Sequence, residues 1–149
     1  MRLLGNILWH IPFLGFIDAI IVYLFGLLLT ITVVAAPIGL GLMEYGKFLF
    51  APFSYSMISK SDLNIDQNPL WQGYSFVIML IYLPFGLFMA IIGIFQAIGL
   101  ALTIVGIPVA LVVAKSLTTY LNPVNKKCVP VSVVEEIDRK RAQEEISKY

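Results

Sequence analysis

The sequence predicts an all-α membrane protein made of two tandem repeats, with a soluble helix at its C-terminus. Of its 149 residues, 59% are hydrophobic and only 13% are charged, whereas about one quarter of an ordinary soluble domain is charged. No Asp, Glu, Lys or Arg occurs between Trp71 and Ala114, a stretch much longer than the roughly 20 residues that cross a hydrocarbon core. The two hydrophobic stretches also align with each other without gaps when Gly15 is placed on Gly86.

Charge and hydropathy divide the chain into four parts. These are a first membrane repeat at residues 3–58, a polar linker at 59–69, a second membrane repeat at 70–124 and a charged tail at 125–149. The tail places opposite charges about one helical turn apart, as in Glu135 and Arg139, and such pairs support exposed helices. We therefore expect the tail to form a solvated helix on the cytoplasmic side.

The repeat is defined most clearly by its prolines. Pro37 aligns with Pro108 and Pro52 with Pro123, so the two prolines of each copy have the same spacing. Proline lacks a backbone donor and disfavours helix at the preceding residue. Each copy is therefore predicted to contain a long transmembrane helix, a break at the first proline and a shorter helix. The long helices are expected at about residues 11–34 and 76–105, and the short helices at about 38–50 and 109–121.

The short helices leave the number of membrane crossings open. Each extends only about 20 Å, less than the roughly 30 Å of a hydrocarbon core, so they are re-entrant, interfacial or limbs of hairpins. Lys126 and Lys127 favour a cytoplasmic C-terminus, and Arg2 favours the same side for the N-terminus. The chain then crosses two or four times, and four crossings, the favoured number, require each copy to be a complete hairpin. Trp9 and Trp71 are expected at the membrane interface.

The segments around the prolines resemble a known family. Thr103–Val109, followed by Lys115 and Pro123, resembles the second repeat of the YccF family of inner-membrane proteins. The corresponding residues of the first copy, a Glu and a Lys between two prolines, are Pro37, Glu44, Lys47 and Pro52. The resemblance covers about residues 3–130 and implies a bacterial inner-membrane protein. It implies no particular biochemical activity.

Glu44 and Lys115 are the most specific pair of charged residues in the hydrophobic stretches. They occupy equivalent positions, each seven residues after its proline, and carry opposite charges. If the copies pack about a pseudo-two-fold axis, the two side chains meet as an ion pair, which lipid strongly favours over two separate charges. Alternatively, both residues mark the water-facing end of a short helix, with Lys115 extending outward and Lys47 neutralising Glu44.

Asp18 is a second candidate because it interrupts an apolar run, while its repeat equivalent is the apolar Met89. A carboxylate within a membrane is a functional candidate by default. In a symmetric oligomer Asp18 would recur as a ring, and carboxylate rings favour cations in a pore. The alternative is that the first helix begins late, so that Asp18 lies near the membrane surface.

Three uncharged polar residues complete the candidates for an ion path. Thr32 and Thr103 occupy equivalent positions just before the two breaks, and Gln96 lies in the second apolar run. They either line an aqueous path or form hydrogen bonds with helix carbonyls and neighbouring helices, which is the usual role of such residues in membranes.

Composition excludes several classes of function. The net charge of +1 gives no electrostatic basis for nucleic-acid binding, and one Cys with one His is too few for a metal cluster. Because we find no catalytic or cofactor-binding motif, we expect neither an enzyme nor a cofactor. Our leading hypothesis is a homo-oligomeric pore for small ions in the inner membrane. The alternative is a non-transporting scaffold or regulatory subunit that binds another protein.

Overall fold

The computed structural model describes residues 2–11 and 13–149 and is mostly helical, as predicted. Its elements in that part of the chain are α1 (Arg2–His10), α2 (Gly15–Ile31), α3 (Ala36–Phe50), β1 (Tyr55–Ser59), α4 (Pro69–Ala101), α5 (Ile107–Leu121), β2 (Lys126–Pro130) and α6 (Val131–Ile146). The shift that places Pro37 on Pro108 also places both bounds of α3 on those of α5, and both bounds of β1 on those of β2.

Two helical hairpins, α2 with α3 and α4 with α5, make up most of the molecule. A threonine closes each of the tight turns between the paired helices. The hydroxyls of Thr32 and Thr103 each donate to the carbonyl three residues before and accept the backbone N–H three residues after. Pro37 and Pro108 then lie in the first turn of α3 and α5, where a missing N–H costs nothing because no helical partner exists there.

The all-α prediction missed a two-stranded antiparallel sheet. β1 follows the first hairpin, β2 follows the second, and Met57 faces Cys128 at the centre of the ladder. These two positions are also equivalent in the alignment of the two copies. The tail predicted as a helix from residue 125 therefore begins with a strand and becomes helical only at Val131. Strand pairing between such distant segments leaves no local signal in the sequence, because neither strand shows a clear two-residue alternation.

The two hairpins run in opposite directions. A Cβ added to Gly41, near the start of α3, would lie 1.8 Å from the carbonyl oxygen of Pro123, beyond the end of α5. Conversely, Nζ of Lys115 in α5 lies 3.1 Å from the carbonyl oxygen of Pro52, beyond the end of α3. Gly41 of α3 therefore faces the end of α5, and Lys115 at the middle of α5 reaches the segment beyond the end of α3. The turn of the first hairpin and that of the second lie at opposite ends of the molecule.

The helix α4 is longer than predicted and connects these two ends. It begins at Pro69 rather than near residue 76 and contains 33 residues, about 50 Å of helix. Near its start, the Tyr74 hydroxyl donates to the carbonyl of Val34 in the first turn. Further along, Gly86 lies against the carbonyl of Leu121 at the base of the second hairpin. The helix therefore passes along both hairpins.

The first long helix, predicted at about residues 11–34, corresponds to α2, and a separate helix that was not predicted, α1, precedes it. α1 and α2 meet at an angle of 80°, and α1 folds over the end of α3. Nε1 of Trp9 donates to the Leu49 carbonyl at 2.8 Å, and Nε2 of His10 lies 2.7 Å from the Phe50 carbonyl. The last carbonyls of a helix have no partner within the helix, so α1 supplies donors to α3. Trp9 is consequently buried in the core rather than placed at a membrane interface.

The surface of the hairpins is strongly apolar. Within the described residues, the buried core is small and centres on Trp9, Tyr45, Phe48, Leu49 and Val112, whereas the large apolar side chains of α2 and α4 are mostly exposed. A large contiguous apolar surface marks contact with a membrane or with another protein. Of the described helices, α4 is long and apolar enough to cross a membrane, and the bent pair of α1 and α2 passes the same test only when taken as one span.

The close approach of the hairpins gives a test of this packing. We expect Gly41→Ala to destabilise the fold by about 1 to 3 kcal/mol, because the added methyl group overlaps the rigid backbone at Pro123. Gly73→Ala is the matched control, since a Cβ at this helical position meets nothing within 4 Å. Thermal unfolding in one detergent should show a lower midpoint for Gly41→Ala only. Equal midpoints for the two variants would contradict the opposed arrangement of the hairpins.

Candidate functional site

Glu44 connects the first hairpin to the strand that follows the second. Its carboxylate accepts a hydrogen bond from Nζ of Lys47 at 2.6 Å and another from the backbone N–H of Cys128 at 3.0 Å. The i, i+3 spacing in α3 brings Lys47 to Glu44. The second bond satisfies a backbone donor of β2 that the sheet ladder leaves without a partner. Glu44 therefore fixes the middle of α3 to the sheet.

Lys115 makes the corresponding connection from the second hairpin. Its ammonium donates to the carbonyl of Pro52 at 3.1 Å and lies 5.5 Å from the centroid of the Phe53 ring, within the range of a cation–π contact. Glu44 and Lys115 do not pair with each other. Each instead binds the backbone that follows the other hairpin, so the two equivalent positions form one reciprocal connection.

The other residues around the breaks have structural positions. Thr32 and Thr103 close the turns of the hairpins, with their hydroxyls bonded to backbone groups. Pro52 and Pro123 follow the short helices, and both are fully buried. The residues predicted around the helix breaks are therefore dispersed between the two ends of the molecule and the sheet.

Asp18 and Gln96 are the two candidate polar residues that the structure brings together. They line an open cavity of about 570 Å³ with Trp9, Phe13 and Tyr120. Because α2 begins at Gly15, Asp18 lies in the first turn of its helix, where the helix dipole stabilises a carboxylate. It is exposed and has no cationic partner within 4.0 Å among the described residues.

A second cleft, of about 240 Å³, lies between α3, the linker and β2. Four lysines line it, and Glu44 is its one carboxylate among the described residues. Apolar residues from the first part of α3, together with Trp71, also line it. The lysines are Lys47, Lys60, Lys126 and Lys127, and the apolar residues include Pro37, Leu40 and Met43. We call this site the lysine cleft.

Burial changes the acid–base behaviour of β2. Removal from water lowers the pKa of Lys126 to about 8, because burial disfavours the charged ammonium. Burial also raises the pKa of Cys128 to about 11, because it disfavours the charged thiolate. The negative charge of Glu44 adds to this rise, and the positive charge of Lys47 opposes it. At neutral pH the Cys128 thiol is therefore protonated and a poor nucleophile. Lys126 remains mostly charged, and its ammonium is only partly solvated.

A polar cavity of about 370 Å³ adjoins the lysine cleft and shares Lys60 and Asn125 with it. Its walls include Gln67 and Ser75, whose Nε2 and Oγ atoms are buried with no hydrogen-bond partner among the described residues. A buried polar atom without a partner is costly. The cavity therefore offers hydrogen-bonding groups to a polar molecule.

Sequence reasoning assigned Lys126 and Lys127 to membrane orientation and did not place them in a site. The lysine cleft arises from the pairing of β1 with β2, which brings the linker beside the tail. The backbone N–H of Lys60 donates to the carbonyl of Asn125 at this junction. The sequence holds one related signal, because two equivalent strands of a repeat can pair with each other in antiparallel register. That signal can be recognised only once the strands are known.

Comparison with known proteins bears on the first hairpin. Residues 4–55 match the model of the YccF family, described as an inner membrane component domain. No curated protein and no solved structure matches the chain. The family match ends before the second hydrophobic stretch, so the second copy stays a prediction. Residues 4–55 are therefore similar to the YccF family of inner-membrane proteins, which confirms for that part of the chain the family predicted from the residues around its prolines.

Proposed function

We propose that this inner-membrane protein is an interaction module whose two oppositely directed hairpins lie in one leaflet, entered from one side of the membrane, and that it binds a partner protein in the water phase. The observation that carries the proposal is the position of the polar sheet. Glu44 attaches β2 to the middle of α3, and Lys115 attaches Pro52, just before β1, to the middle of α5. A sheet at that height limits how deeply the hairpins can enter a bilayer.

The helical rise makes this limit quantitative. Glu44 lies eight residues after Ala36 at the start of α3, and Lys115 lies eight residues after Ile107 at the start of α5. Eight residues correspond to about 12 Å of helix, whereas a hydrocarbon core is about 30 Å thick. If a turn reached the far interface, the sheet and its lysines would lie within hydrocarbon. One-sided insertion keeps them in water.

The exposed surfaces support the same orientation. The turns carry large apolar residues rather than charges, and Val34 and Ile104 are 67% and 88% exposed. Water would disfavour such turns, and lipid would favour them. The apolar outer faces of α2 and α4 then lie in the near leaflet. The lysines beside the sheet favour the cytoplasmic leaflet, which is anionic.

The proposal includes two tandem copies of one helix–turn–helix–strand unit. Three features support the duplication: the common shift that relates the bounds of the short helices and of the strands, the threonine that closes each turn, and the register that places Met57 opposite Cys128. Antiparallel pairing of equivalent residues is the arrangement that a two-fold axis through the sheet requires.

The partner surface in this proposal is α6. Its half-buried side chains, such as Val134 and Ile137, recur at helical spacing, and the helix contacts both strands. Exposed ion pairs of Arg141 with Asp62 and of Arg2 with Glu135 join it to the linker and to α1. Its opposite face, including Gln143, is exposed and rich in charge, and it is free to contact a protein.

A second candidate function is the homo-oligomeric pore for small ions. The observation in its favour is the open cavity that contains Asp18 and Gln96. Several copies packed through their apolar surfaces would close this cavity around an axis, and the ring of carboxylates would attract cations. This candidate requires Asp18 to face the axis rather than the membrane surface.

Chemical labelling tests the one-sided insertion. In a Cys128→Ser background, Asp66→Cys in the linker and Ser147→Cys in the tail should react with a membrane-impermeant maleimide from the cytoplasmic side only. Val34→Cys and Ile104→Cys in the turns should resist the reagent from both sides and react after solubilisation in denaturant. Reaction of the turn cysteines from the periplasmic side would favour four crossings and contradict one-sided insertion.

Site-specific photocrosslinking tests the role of α6. A crosslinking residue at Gln143 should give a discrete product between this chain and a different protein in intact cells, because that face is exposed. The same residue at Leu80, which is 49% exposed on α4, is the matched control and should give no such product. A product that contains two copies of this chain, or crosslinking to protein from Leu80 alone, would contradict the assignment.

Electrical recording separates the two candidate functions. Purified protein in planar bilayers should leave the baseline conductance unchanged. A pore-forming peptide added afterwards should raise the conductance, which shows that the bilayer can report a pore. Single-channel steps whose cation selectivity falls in Asp18→Asn, and not in the linker control Asp66→Asn, would overturn the interaction module and establish the pore.

A further inference from the structure

The lysine cleft concentrates positive charge that the described residues do not neutralise. Lys47 is paired with Glu44, whose second oxygen is bonded to the backbone of Cys128. Lys60, Lys126 and Lys127 have no carboxylate within 4.0 Å in the part of the chain that the structure describes. These side chains come from separate segments, the linker and β2, so the fold itself brings the like charges together.

The cost of this arrangement indicates an anionic ligand. Burial of an ammonium without a partner destabilises the charged form, as the lowered pKa of Lys126 reflects. A bound anion removes that penalty and pairs with several lysines at once. Phosphate oxygens suit such a site because they accept several charge-assisted hydrogen bonds.

The shape of the cleft indicates that the anion is attached to an apolar molecule. An apolar part of the wall consists of Pro37, Leu40 and Met43 from α3, together with Trp71 near the start of α4. This wall leads toward the apolar turn of the first hairpin. An amphipathic ligand can therefore place its charge on the lysines and its hydrocarbon along α3.

The adjoining polar cavity extends the site beyond the phosphate position. It shares Lys60 and Asn125 with the cleft and contains the unpartnered polar atoms of Gln67 and Ser75. Hydroxyl groups both donate and accept hydrogen bonds, so they suit an amide and a hydroxyl in one small cavity. A headgroup with hydroxyls beyond its phosphate fills both spaces.

We propose that the lysine cleft binds the phosphodiester of an anionic phospholipid and that the polar cavity holds the hydroxyls of its headgroup, as in phosphatidylglycerol. The inference rests on the proposed position of the sheet at the membrane surface. It does not depend on a protein partner or on conduction. Binding in detergent micelles tests it without reference to insertion depth, so the two proposals can fail separately.

Native mass spectrometry in a neutral detergent supplies the measurement. The wild-type protein should bind one phosphatidylglycerol with higher affinity than phosphatidylserine or phosphatidylcholine. Lys126→Gln combined with Lys127→Gln should weaken that binding by about ten-fold or more, since each lysine near an anionic lipid contributes substantially. Lys140→Gln combined with Lys148→Gln removes the same charge from the exposed tail and should leave the binding unchanged.

Other outcomes assign the failure. Equal loss in the cleft and tail variants would overturn the site, and equal binding of phosphatidylserine and phosphatidylglycerol would overturn the role of the polar cavity. Inorganic phosphate that displaces phosphatidylglycerol at equal concentration would show that free phosphate is the ligand. Lys60→Gln provides a second cleft variant if the double variant fails to fold, as judged by its melting temperature without lipid.

A pH series adds a readout that a merely structural role would not change. Lys126 is surrounded by Glu44 and Lys47 of α3, Lys60 of the linker and its neighbour Lys127. Because the pKa of Lys126 is lowered to about 8, raising the pH from about 7 to about 9 removes its charge in the free protein. Affinity for phosphatidylglycerol should fall over this interval, and Lys126→Gln should flatten the profile. An identical pH profile in both proteins would exclude Lys126 from the site.

Discussion

The attachment of the sheet to the middle of the two short helices determines the arrangement of the rest of the molecule. Each connection joins one charged side chain to the backbone that follows the other hairpin, Glu44 to the N–H of Cys128 and Lys115 to the carbonyl of Pro52. Hydrogen bonds to charged groups are among the stronger ones in proteins. Because the two connections are reciprocal, the hairpins are held in opposite directions and the sheet is held between them.

The same constraint divides the surface into an apolar part and a polar part. The outer faces of α2 and α4 and the two turns expose large apolar side chains. The sheet, the linker and α6 carry most of the charges. Because the polar sheet lies beside the middle of the short helices, placing both hairpins across a bilayer would bury its charges. The free-energy cost of burying an unpaired charge in hydrocarbon is greater than the gain from burying the apolar side chains nearby. The proposed one-sided insertion follows from this balance.

Sequence reasoning predicted local features better than long-range ones. It found the short helices to within two residues at their starts, because proline acts on the residues next to it. It missed the long-range features: the sheet, the bend between α1 and α2, and the contact of Trp9 with Leu49. For Glu44 and Lys115, the pattern showed that the positions were equivalent. It could not show that each charge binds backbone rather than the other charge, since backbone groups are the same in every sequence.

Equivalent positions in the proposed repeat differ in charge around the lysine cleft. The positions equivalent to Lys47 and Lys60 are Thr118 and Val131. On the symmetry-related side of the sheet, the counterparts of Lys126 and Lys127 are Tyr55 and Ser56. Each short helix binds the backbone beyond the other hairpin through one charged side chain, whereas the lysines gather on one side only. Packing alone would favour similar residues on both sides, because the two environments are built alike. The difference in charge therefore agrees with the lipid site proposed for the lysine cleft.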